Sequence, residues 1–363
     1  MKLKPSFNHG RKLFLLVVVL CLIGILAVFE ASHIEAFHRF NDAYYFIRQQ
    51  LQWLGIGLGV LIVSAMIPPT FWSKLGPLIY IVGVILLIAV LIPGIGVEVN
   101  GARRWIDLGG QRFQPVELIK LGISAFFATW LIKHQRIAPF LTFSLIPTAL
   151  VMIQPDLGST LIVLLIAFGM YVVAGGKLKE IGILFGVGIV GILLLILTSS
   201  YRRERLTTYL SPSSDPLGAG YHVRQITIAL GNGGMFGLGI GQSKQKYQYL
   251  PEASTDSIFA LIAEEVGFVG STALIFIFLF YIQTAFQIVK DLPEDSFERL
   301  FATGLVIWVS GQMIMNLAAV VALVPLTGIP LPFISRGGSS LLTIMMATGI
   351  LISLSRTSVH SHK

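Results

Sequence analysis

Long apolar runs recur from one end of this chain to the other, and they constrain its fold more than any other feature. A helix that crosses a membrane needs ~20 mostly apolar residues, because it must span about 30 Å of hydrocarbon. Hydrophobic residues make up 55% of the sequence and charged residues only 12%, against ~25% charged in a typical soluble domain. The sequence therefore predicts an all-α polytopic membrane protein with ten transmembrane helices. The predicted spans lie near residues 13–33, 51–67, 75–93, 114–132, 138–154, 157–174, 180–198, 257–287, 301–325 and 338–355.

Lysine and arginine residues set the predicted orientation of these spans, because short cytoplasmic connections of membrane proteins are enriched in both. An even number of spans places both termini on one side. Thirteen lysines and arginines lie on that side, against six in the short loops opposite. We therefore expect both termini in the cytoplasm and one membrane domain over residues 1–363. No small-residue cleavage pattern follows the first apolar run, which predicts an uncleaved first helix.

The one long connection, residues 199–256, lies between the seventh and eighth spans and is predicted to be extracytoplasmic. Loops of this length inside compact bundles are usually functional. It adds six cations to the outer side: Arg202, Arg203, Arg205, Arg224, Lys244 and Lys246. They suit either a lipid-linked phosphate at the outer face or simple contact with anionic head groups and solvent. The cations are too dispersed for a nucleic-acid surface, so membrane lipids are the expected general partner.

The end of this loop joins polar to apolar sequence at Asp256, within QKYQYLPEASTDSIF at 245–259. A carboxylate at such a junction sits where water meets hydrocarbon, so it can stay ionised while it faces a site inside the bundle. We predict that Asp256 lies in the first turn of the eighth helix, with Ser254 or Thr255 as its cap. Glu264 and Glu265 follow about 12 to 13.5 Å farther along that helix and are assigned to the polarity of the bundle interior.

Two groups of charges lie near the start of the fourth predicted span. Glu117 and Lys120 are three residues apart and share one helical face. They form either a structural ion pair or part of a substrate site, since ionisable groups inside a membrane are costly and face the bundle interior. Arg103 and Arg104 precede Trp105 in NGARRW. The two guanidiniums suit phosphate or head-group recognition, and the alternative is an interfacial anchor.

Three further segments are rich in polar residues, glycine or proline. In QPDLGST, residues 154–160, Gln154 begins a connection that predicts a turn followed by a helix cap, with a site role as the alternative. The glycines at 231–241 follow Gln225 without the strand of a nucleotide fingerprint, so they indicate close backbone packing or loop flexibility. GIPLPFISRGGSS, residues 328–340, contains Ser335 and Arg336. It predicts a re-entrant turn beside the active cavity, with a simple loop as the alternative.

These segments together resemble the SEDS family, the shape, elongation, division and sporulation proteins that polymerise peptidoglycan glycan strands. The resemblance covers nearly the whole chain, because NGARRW, QPVELIKL, QPDLGS, the stretch from GNGGMFGLGIGQ to EEVGFVG, and GIPLPFISRGGSS occur in order. NGARRW and LPEASTDSIF are closer to the FtsW-like division branch than to the RodA-like elongation branch. Two positions depart from the family pattern: Arg336 stands where a tyrosine is expected, and Ser257 where a phenylalanine is usual.

The resemblance implies glycosyl transfer at the outer face of the bacterial plasma membrane. The 4-hydroxyl of lipid II would attack the anomeric carbon of a glycan linked to undecaprenyl diphosphate, which leaves with inversion at the sugar. Asp256 matches the family's catalytic aspartate and would act as general base on the hydroxyl. The predicted substrate-binding residues around it are Arg103, Arg104, Glu117, Lys120, Gln154, Gln225, Lys244, Glu252, Ser335 and Arg336.

The expected partners are these two lipid-linked substrates and, by family association, a class B penicillin-binding protein that acts as a transpeptidase. Mg²⁺ or Mn²⁺ could assist the leaving diphosphate, but the sequence presents no convincing ligand set. Two other classes of function stay open. One is a flippase or transporter of the lipid-linked precursor, and the other is a scaffold that recruits the transpeptidase without catalysis. Polymer formed from lipid II by the purified chain would distinguish a polymerase from both.

Overall fold

In a computed structural model the chain is a bundle of long α-helices with one small sheet at one end. The structure describes residues 5–99, 101–134, 136–177, 179–182, 186, 188, 191, 203, 207, 209, 219–247 and 250–357. Within them the helices are α1 (Pro5–Phe40), α2 (Tyr45–Met66), α3 (Pro69–Ala89), α4 (Pro115–Trp130), α5 (Ile137–Ile153), α6 (Leu157–Val173), α7 (Ala219–Gly233), α8 (Ile258–Lys290), α9 (Phe297–Val320) and α10 (Gly338–Thr357). The strands are β1 (Gly96–Val99), β2 (Ala102–Leu108) and β3 (Gln111–Phe113).

Six of the described helices, α1, α2, α3, α8, α9 and α10, are long and apolar enough to cross a membrane. Helices α5 and α6 are shorter apolar helices of 17 residues each, and α4 has 16 residues, most of them buried. These nine helices coincide with nine of the ten predicted spans, and the chain is a polytopic helical membrane protein. The remaining predicted span, 180–198, lies largely outside the described residues.

A three-stranded antiparallel sheet, in the order β1-β2-β3, connects α3 to α4, where the sequence predicted no strand. Gly109 and Gly110 form the two-residue turn between β2 and β3, with φ of 68° and 88°. Positive φ at both positions matches the twist of the strands that such a turn joins, which explains the two glycines. β2 contacts α4 and β3 contacts α10. Arg103 and Arg104 are therefore carried on a strand that is fixed to the bundle.

The long loop contains a helix, α7, that the sequence analysis did not predict. Ile226 and Ala229 on this helix are buried and lie three residues apart. Apolar residues at that spacing are typical of a helix with one buried face. This spacing is the signal that could have revealed α7, although its polar residues and its position inside a connection obscured it. The loop therefore presents an ordered element beside α8.

The glycine-rich segment after α7 runs beside a break in α8 at Gly267, where φ is 69°. Leu238 N donates a hydrogen bond to Glu264 O at 3.0 Å, and Phe268 N donates to Gly234 O at 2.9 Å. Each segment thus supplies backbone partners for the other. A Cβ on Gly267 would lie 2.2 Å from a backbone nitrogen of the facing segment, so only glycine fits there. The close backbone packing predicted for these glycines is confirmed.

Helix packing brings the predicted functional segments to one end of the bundle. α2 packs on α10, α3 packs on α4, and α6 packs on both α4 and α9. Where α2 meets α10, a Cβ on Gly349 would lie 2.3 Å from Leu61 O, so the small residue lets the two backbones approach. The end that carries the sheet also holds the α5–α6 connection, the turn before α8 and segment 328–337.

Candidate active site

Asp256 lies in a turn immediately before α8 and not within the helix. α8 begins at Ile258 and Ser257 is its N-cap residue, so the prediction that Asp256 occupies the first helical turn is wrong by two residues. Neither Ser254 nor Thr255 caps the helix. Thr255 Oγ1 instead lies within hydrogen-bond distance of Glu252 O, Glu252 Oε2 and Asp256 Oδ1, and its one proton can be donated to any of them. We call residues 254–257 the Asp256 turn.

The carbonyl oxygens of the Asp256 turn accept hydrogen bonds from distant segments, which explains why the helix starts later than predicted. Arg336 N donates to Ser254 O at 2.8 Å, and Ser335 Oγ donates to Thr255 O at 2.5 Å. A helical carbonyl points along the axis to the N–H group four residues on. Carbonyls that point sideways to Arg336 and Ser335 are incompatible with that direction, so the helix begins only after them.

Segment 328–337 is the broken segment predicted between the last two helices, and it is buried against the Asp256 turn. It contains no helical residue, and Phe333 and Ile334 are buried, which favours the re-entrant alternative over a surface loop. Gly328 faces the Asp256 carboxylate. Its φ is 68°, and a Cβ built on it would lie 3.9 Å from Asp256 Oδ2. A larger side chain at this position would fill the space next to the carboxylate.

Two amide side chains on α9, four residues apart, connect the Asp256 turn to the rest of the polar interior. Asn316 Nδ2 donates to Asp256 O at 2.8 Å and to Ile329 O at 2.7 Å, so one amide holds the turn against the broken segment. Gln312 Nε2 donates to Pro330 O at 3.2 Å. Neither amide was predicted from the sequence as part of the site. The available signal was a pair of polar residues on one face of a mostly apolar span, where such residues hydrogen-bond between helices.

Glu117 and Lys120 form a buried ion pair on α4, with 2.7 Å between Lys120 Nζ and Glu117 Oε1 and 3% of each side chain exposed. Lys120 Nζ also donates to Gln312 Oε1 at 3.1 Å, and Thr343 Oγ1 donates to Glu117 Oε2 at 3.1 Å. Each charge is therefore matched by the other and by neutral partners, as the burial of ions requires. The predicted ion pair is confirmed, and a contact of either residue with substrate stays a prediction.

The two arginines of β2 have different partners. Arg104 Nε donates to Gln154 O at 2.9 Å and Arg104 Nη2 donates to Pro155 O, so this guanidinium joins β2 to the α5–α6 connection. Gln154 is itself buried, and its Nε2 donates to a backbone carbonyl of α3 at 3.1 Å. Arg103 pairs with Glu98 on β1 at 3.2 Å and keeps 37% of its side chain exposed. Of the two arginines, Arg103 is the more accessible to a phosphate.

The α5–α6 connection contains the predicted helix cap. Asp156 is the N-cap residue of α6, and its side chain accepts hydrogen bonds from Ser159 N at 3.0 Å and from Gln114 Nε2 at 3.3 Å. Gln114 immediately precedes α4, so Asp156 also links the starts of two helices. The interpretation of QPDLGST as a turn followed by a cap is confirmed, and a substrate contact for Gln154 stays a prediction.

Three predicted site residues belong to the long loop. Gln225 is half-buried on α7, whereas Lys244 and Glu252 are exposed. Glu252 precedes the Asp256 turn, and its carboxylate accepts a hydrogen bond from Thr255 Oγ1 at 2.8 Å. Lys244 makes no ion pair within the part of the chain that the structure describes. Its ammonium is therefore open to an anionic ligand.

Arg336 places a cation beside the Asp256 turn, but its side chain is directed toward α1 and α2. The guanidinium carbon lies 3.9 Å from the centre of the Phe46 ring, and Nη1 lies 3.9 Å from Glu35 Oε2. Burial lowers the pKa of Arg336, while the negative charges of Glu35 and Glu252 raise it. An arginine stays protonated at neutral pH in either case. Arg336 thus adds a permanent positive charge at this side of the turn.

The arrangement offers one partly exposed carboxylate in a turn that other segments hold by its backbone. Among residues 5–357, as far as they are described, no three His, Cys, Asp or Glu side chains are grouped so that they could hold a metal ion. A cavity of about 490 Å³ is lined by Leu131, Val173 and Arg299. Leu131 and Val173 lie at the ends of α4 and α6, and Arg299 lies in the first turn of α9, all opposite to the Asp256 turn, so the cavity is not part of this site.

A polytopic helical bundle that holds a carboxylate beside a broken, buried segment defines an integral membrane protein with its site at one end of the bundle. Comparison with protein families then gives the family. Residues 11–360 match the family FTSW_RODA_SPOVE, described as cell cycle protein. The chain belongs to this family, which is the SEDS family that its motifs resemble.

Individual relatives match over nearly the whole chain. Stage V sporulation protein E of Bacillus subtilis is 36% identical over 354 residues, which cover 95% of this chain and 96% of the relative. A probable peptidoglycan glycosyltransferase FtsW of Trichlorobacter lovleyi is 37% identical over 359 residues, which cover 96% of this chain and 93% of the relative. Relatives of two different names therefore share the full length of this chain.

Solved structures share the fold. A chain of a peptidoglycan synthase complex, described as coordinating polymerization and crosslinking, superimposes with a TM-score of 0.80 at 28% identity and covers 96% of this chain and 98% of that one. The rod shape determining protein RodA of Thermus thermophilus gives a TM-score of 0.69 at 27% identity over 95% of each chain. The bundle described above is therefore the fold of this family.

Proposed function

We propose that this chain is a peptidoglycan glycosyltransferase that polymerises glycan strands from lipid-linked precursors. Relatives that share more than a third of its residues over nearly its whole length bear the name peptidoglycan glycosyltransferase. The reaction joins the 4-hydroxyl of a lipid II sugar to the anomeric carbon of a glycan on undecaprenyl diphosphate. The bond from that carbon to the diphosphate breaks, the hydroxyl proton passes to a base, and undecaprenyl diphosphate leaves.

Asp256 is the base in this proposal. The main supporting observation is that the chain fixes the backbone of Asp256 and leaves its carboxylate partly exposed. Asn316 binds the backbone carbonyl of Asp256, whereas the side chain is partly exposed beside Gly328. A base positioned within hydrogen-bond reach of the attacking hydroxyl accelerates such a transfer by about 10²- to 10⁴-fold. Attack on the face opposite the diphosphate converts an α-linked sugar into a β-linkage.

The leaving diphosphate needs fixed positive charge, because charge develops on it as the sugar bond breaks. Lys244 is exposed, and Arg103 keeps part of its guanidinium exposed in its pair with Glu98. Lys120 and Arg104 already donate to Glu117 and to backbone carbonyls. We therefore assign the diphosphate first to Arg103 and Lys244. Lys120 and Arg104 maintain the fold around them.

We further propose that the site lies on the outer face of the bacterial plasma membrane, with both termini in the cytoplasm, because the lysines and arginines of the short loops favour this orientation. A class B penicillin-binding protein is the proposed protein partner. The similar chain found in a peptidoglycan synthase complex that coordinates polymerization and crosslinking supports this assignment. A transpeptidase beside the site would act on the strand as it is made.

Polymerisation of lipid II by the purified full-length chain in proteoliposomes, with and without the transpeptidase, tests the proposal. We expect polymer from the wild-type chain and a loss of at least about 100-fold in Asp256→Asn. The variant should stay folded, because Asn316 binds the backbone at position 256 and the side-chain oxygen of an asparagine can still accept from Thr255 Oγ1. Asp295→Asn, the same change at an exposed position at the other end of the bundle, is the matched control.

Two results would overturn the proposal. Polymer from Asp256→Asn at the wild-type rate would remove Asp256 as the base. Movement of labelled lipid II across the bilayer without polymer, from a folded wild-type chain with its partner present, would identify a transporter.

A divalent cation is proposed only as a partner of the leaving diphosphate, since Mg²⁺ is usually bound by one or two carboxylates and substrate phosphates. Chelation followed by return of Mg²⁺ or Mn²⁺ measures that contribution.

A further inference from the structure

The hydroxyl of Ser257 contacts a histidine and does not form the capping hydrogen bond that is usual at its position. Ser257 is the fully buried N-cap residue of α8. A serine at this position usually accepts a hydrogen bond from a backbone N–H group in the first turn of its helix. Ser257 makes no such bond, and its Oγ lies 2.6 Å from His222 Nε2 on α7. The side chain that directly follows Asp256 is therefore joined to the long loop.

Helix α7 is attached to α8 at its other end as well. After α7, Gly239 N donates to Glu265 O at 3.0 Å, and this bond belongs to the backbone pairing across the break in α8. A Cβ on Gly233, the last residue of α7, would lie 2.1 Å from Ala263 O, so the two backbones are in direct contact there. Because both ends of α7 are fixed to α8, the His222 contact joins two elements that already pack together.

The Asp256 turn is thus held from two directions. Asn316 and Ser335 bind its backbone from the side of α9 and the broken segment. His222 binds Ser257 from the side of the loop. We propose that His222 is a positioning residue, which acts through Ser257 to fix the direction of the Asp256 carboxylate; this inference rests on the function proposed above.

The physical effect of the pair follows from the burial of Ser257. A buried hydroxyl that loses its partner is costly to leave in place, so the turn would shift or open to find another one. A change in the orientation of Asp256 would slow proton transfer without weakening the binding of lipid substrate, since His222 is not assigned a substrate contact. We expect kcat to fall by about 5- to 10-fold in His222→Ala with KM unchanged, as loss of one hydrogen bond implies.

Four variants of the full-length chain test the proposal: His222→Ala, His222→Gln, Ser257→Ala and the double variant His222→Ala with Ser257→Ala. Glutamine offers both a side-chain donor and a side-chain acceptor, so His222→Gln should retain most of the wild-type kcat whichever of the two groups donates. The double variant should be no slower than the slower single variant, because both changes remove the same bond. Thr227→Ala is the matched control, since Thr227 is an exposed residue of α7 whose hydroxyl bonds only to its own helix among the described residues.

Hydrogen–deuterium exchange of the peptide that contains residues 252–258 gives a second measurement that needs no activity. Exchange should be faster in His222→Ala and Ser257→Ala, and close to wild type in His222→Gln and Thr227→Ala. The inference is overturned by unchanged exchange and kcat in His222→Ala, by a glutamine variant as slow as the alanine variant, or by additive losses in the double variant. Failure of the proposed function looks different, because Asp256→Asn would then polymerise lipid II normally while the exchange pattern remained.

Discussion

Asp256 and Glu117 lie toward the same end of the bundle, yet the chain treats the two carboxylates in opposite ways. Glu117 is buried, and both of its oxygens have partners, Lys120 on one and Thr343 on the other. At Asp256 the structure holds the backbone through Asn316, and the side chain, whose Oδ1 lies 3.4 Å from Thr255 Oγ1, stays partly exposed. One acid is matched inside the fold, and the other is held in place with its carboxylate accessible.

The difference gives a way to separate an acid that maintains the fold from an acid that does chemistry. Ions taken out of water must be paired, and breaking one partner of such a pair destabilises the folded state. A general base must instead reach the proton of its substrate, so its side chain cannot be fully used by the protein. Substitutions near Glu117 should therefore reduce stability, and substitutions at the Asp256 turn should reduce turnover.

The largest effect is expected when the buried pair is broken. Lys120→Met leaves Glu117 buried without its counter-charge, which should lower the free energy of unfolding by about 3 to 5 kcal/mol. Replacing both partners, Lys120→Met with Glu117→Gln, should recover most of that loss, because no unpaired charge remains. Thermal unfolding of the purified chain in detergent measures the difference, and Lys74→Met at an exposed lysine is the control.

The alternative role for Lys120, direct contact with the leaving diphosphate, predicts another result. In that case Lys120→Met would raise KM for the lipid-linked glycan and leave the melting temperature near that of Lys74→Met. A double variant as unstable as the single one would equally contradict the structural role. Either outcome would remove the contrast between the two carboxylates.

The spans were predictable because the requirement for ~20 apolar residues is a local property of sequence. The Glu117–Lys120 pair was predictable for the same reason, since residues three apart on a helix share a face. The strands were missed because they are short and lie inside a connection: β1 has four residues and β3 has three. Helix α7 was missed because its apolar spacing is interrupted by polar residues within a long loop.

The candidate site was only partly predictable, because its decisive contacts join residues far apart in sequence. Asn316 and Asp256 are 60 positions apart, and Ser335 and Thr255 are 80 positions apart. Nothing local indicates that these groups meet. The start of α8 was misplaced for this reason: residues 254–256 have the composition of a helix start, but their carbonyls bind partners from α9 and the broken segment. Tertiary contacts therefore override the local signal where the carboxylate is positioned.

An intermediate effect is expected at Asn316, which belongs to the Asp256 side of the comparison. Asn316→Leu keeps the approximate volume but removes the donors to Asp256 O and Ile329 O. The buried carbonyl of Ile329 and the partly buried carbonyl of Asp256 then lack their partner, and the turn separates from the broken segment. We expect kcat for polymerisation to fall by about 10-fold, with a smaller loss of stability than in Lys120→Met. Ile314→Leu, an exposed position on the same helix, is the control.

Asn316 is as buried as Glu117 but holds the turn of Asp256, so its substitution separates the effect of burial from the effect on the site. Initial rates over a range of lipid II concentrations separate kcat from KM, and thermal unfolding gives the stability of the same preparation. A variant that loses stability but polymerises with the wild-type kcat would show that Asn316 only supports the bundle. The distinction between Glu117, which stabilises the fold, and Asp256, which reacts, would then not apply to the residues that contact them.

The smallest effect is expected at Arg103 and Arg104. These adjacent residues again contrast a charge that is bound within the fold with one that is partly exposed. Arg104 is bound to backbone carbonyls, so Arg104→Gln should lower the melting temperature and leave KM unchanged. Arg103→Gln should leave stability unchanged, since an exposed ion pair such as that with Glu98 contributes only ~0 to 1 kcal/mol. Its KM for the diphosphate-linked glycan should rise about 2- to 3-fold, more at low salt than at high salt, because an exposed cation is screened by ions. If both variants raise KM equally, Arg104 also contacts the substrate despite its hydrogen bonds to backbone carbonyls. Hydrogen bonds within the fold would then not separate charges that stabilise the protein from charges that bind substrate.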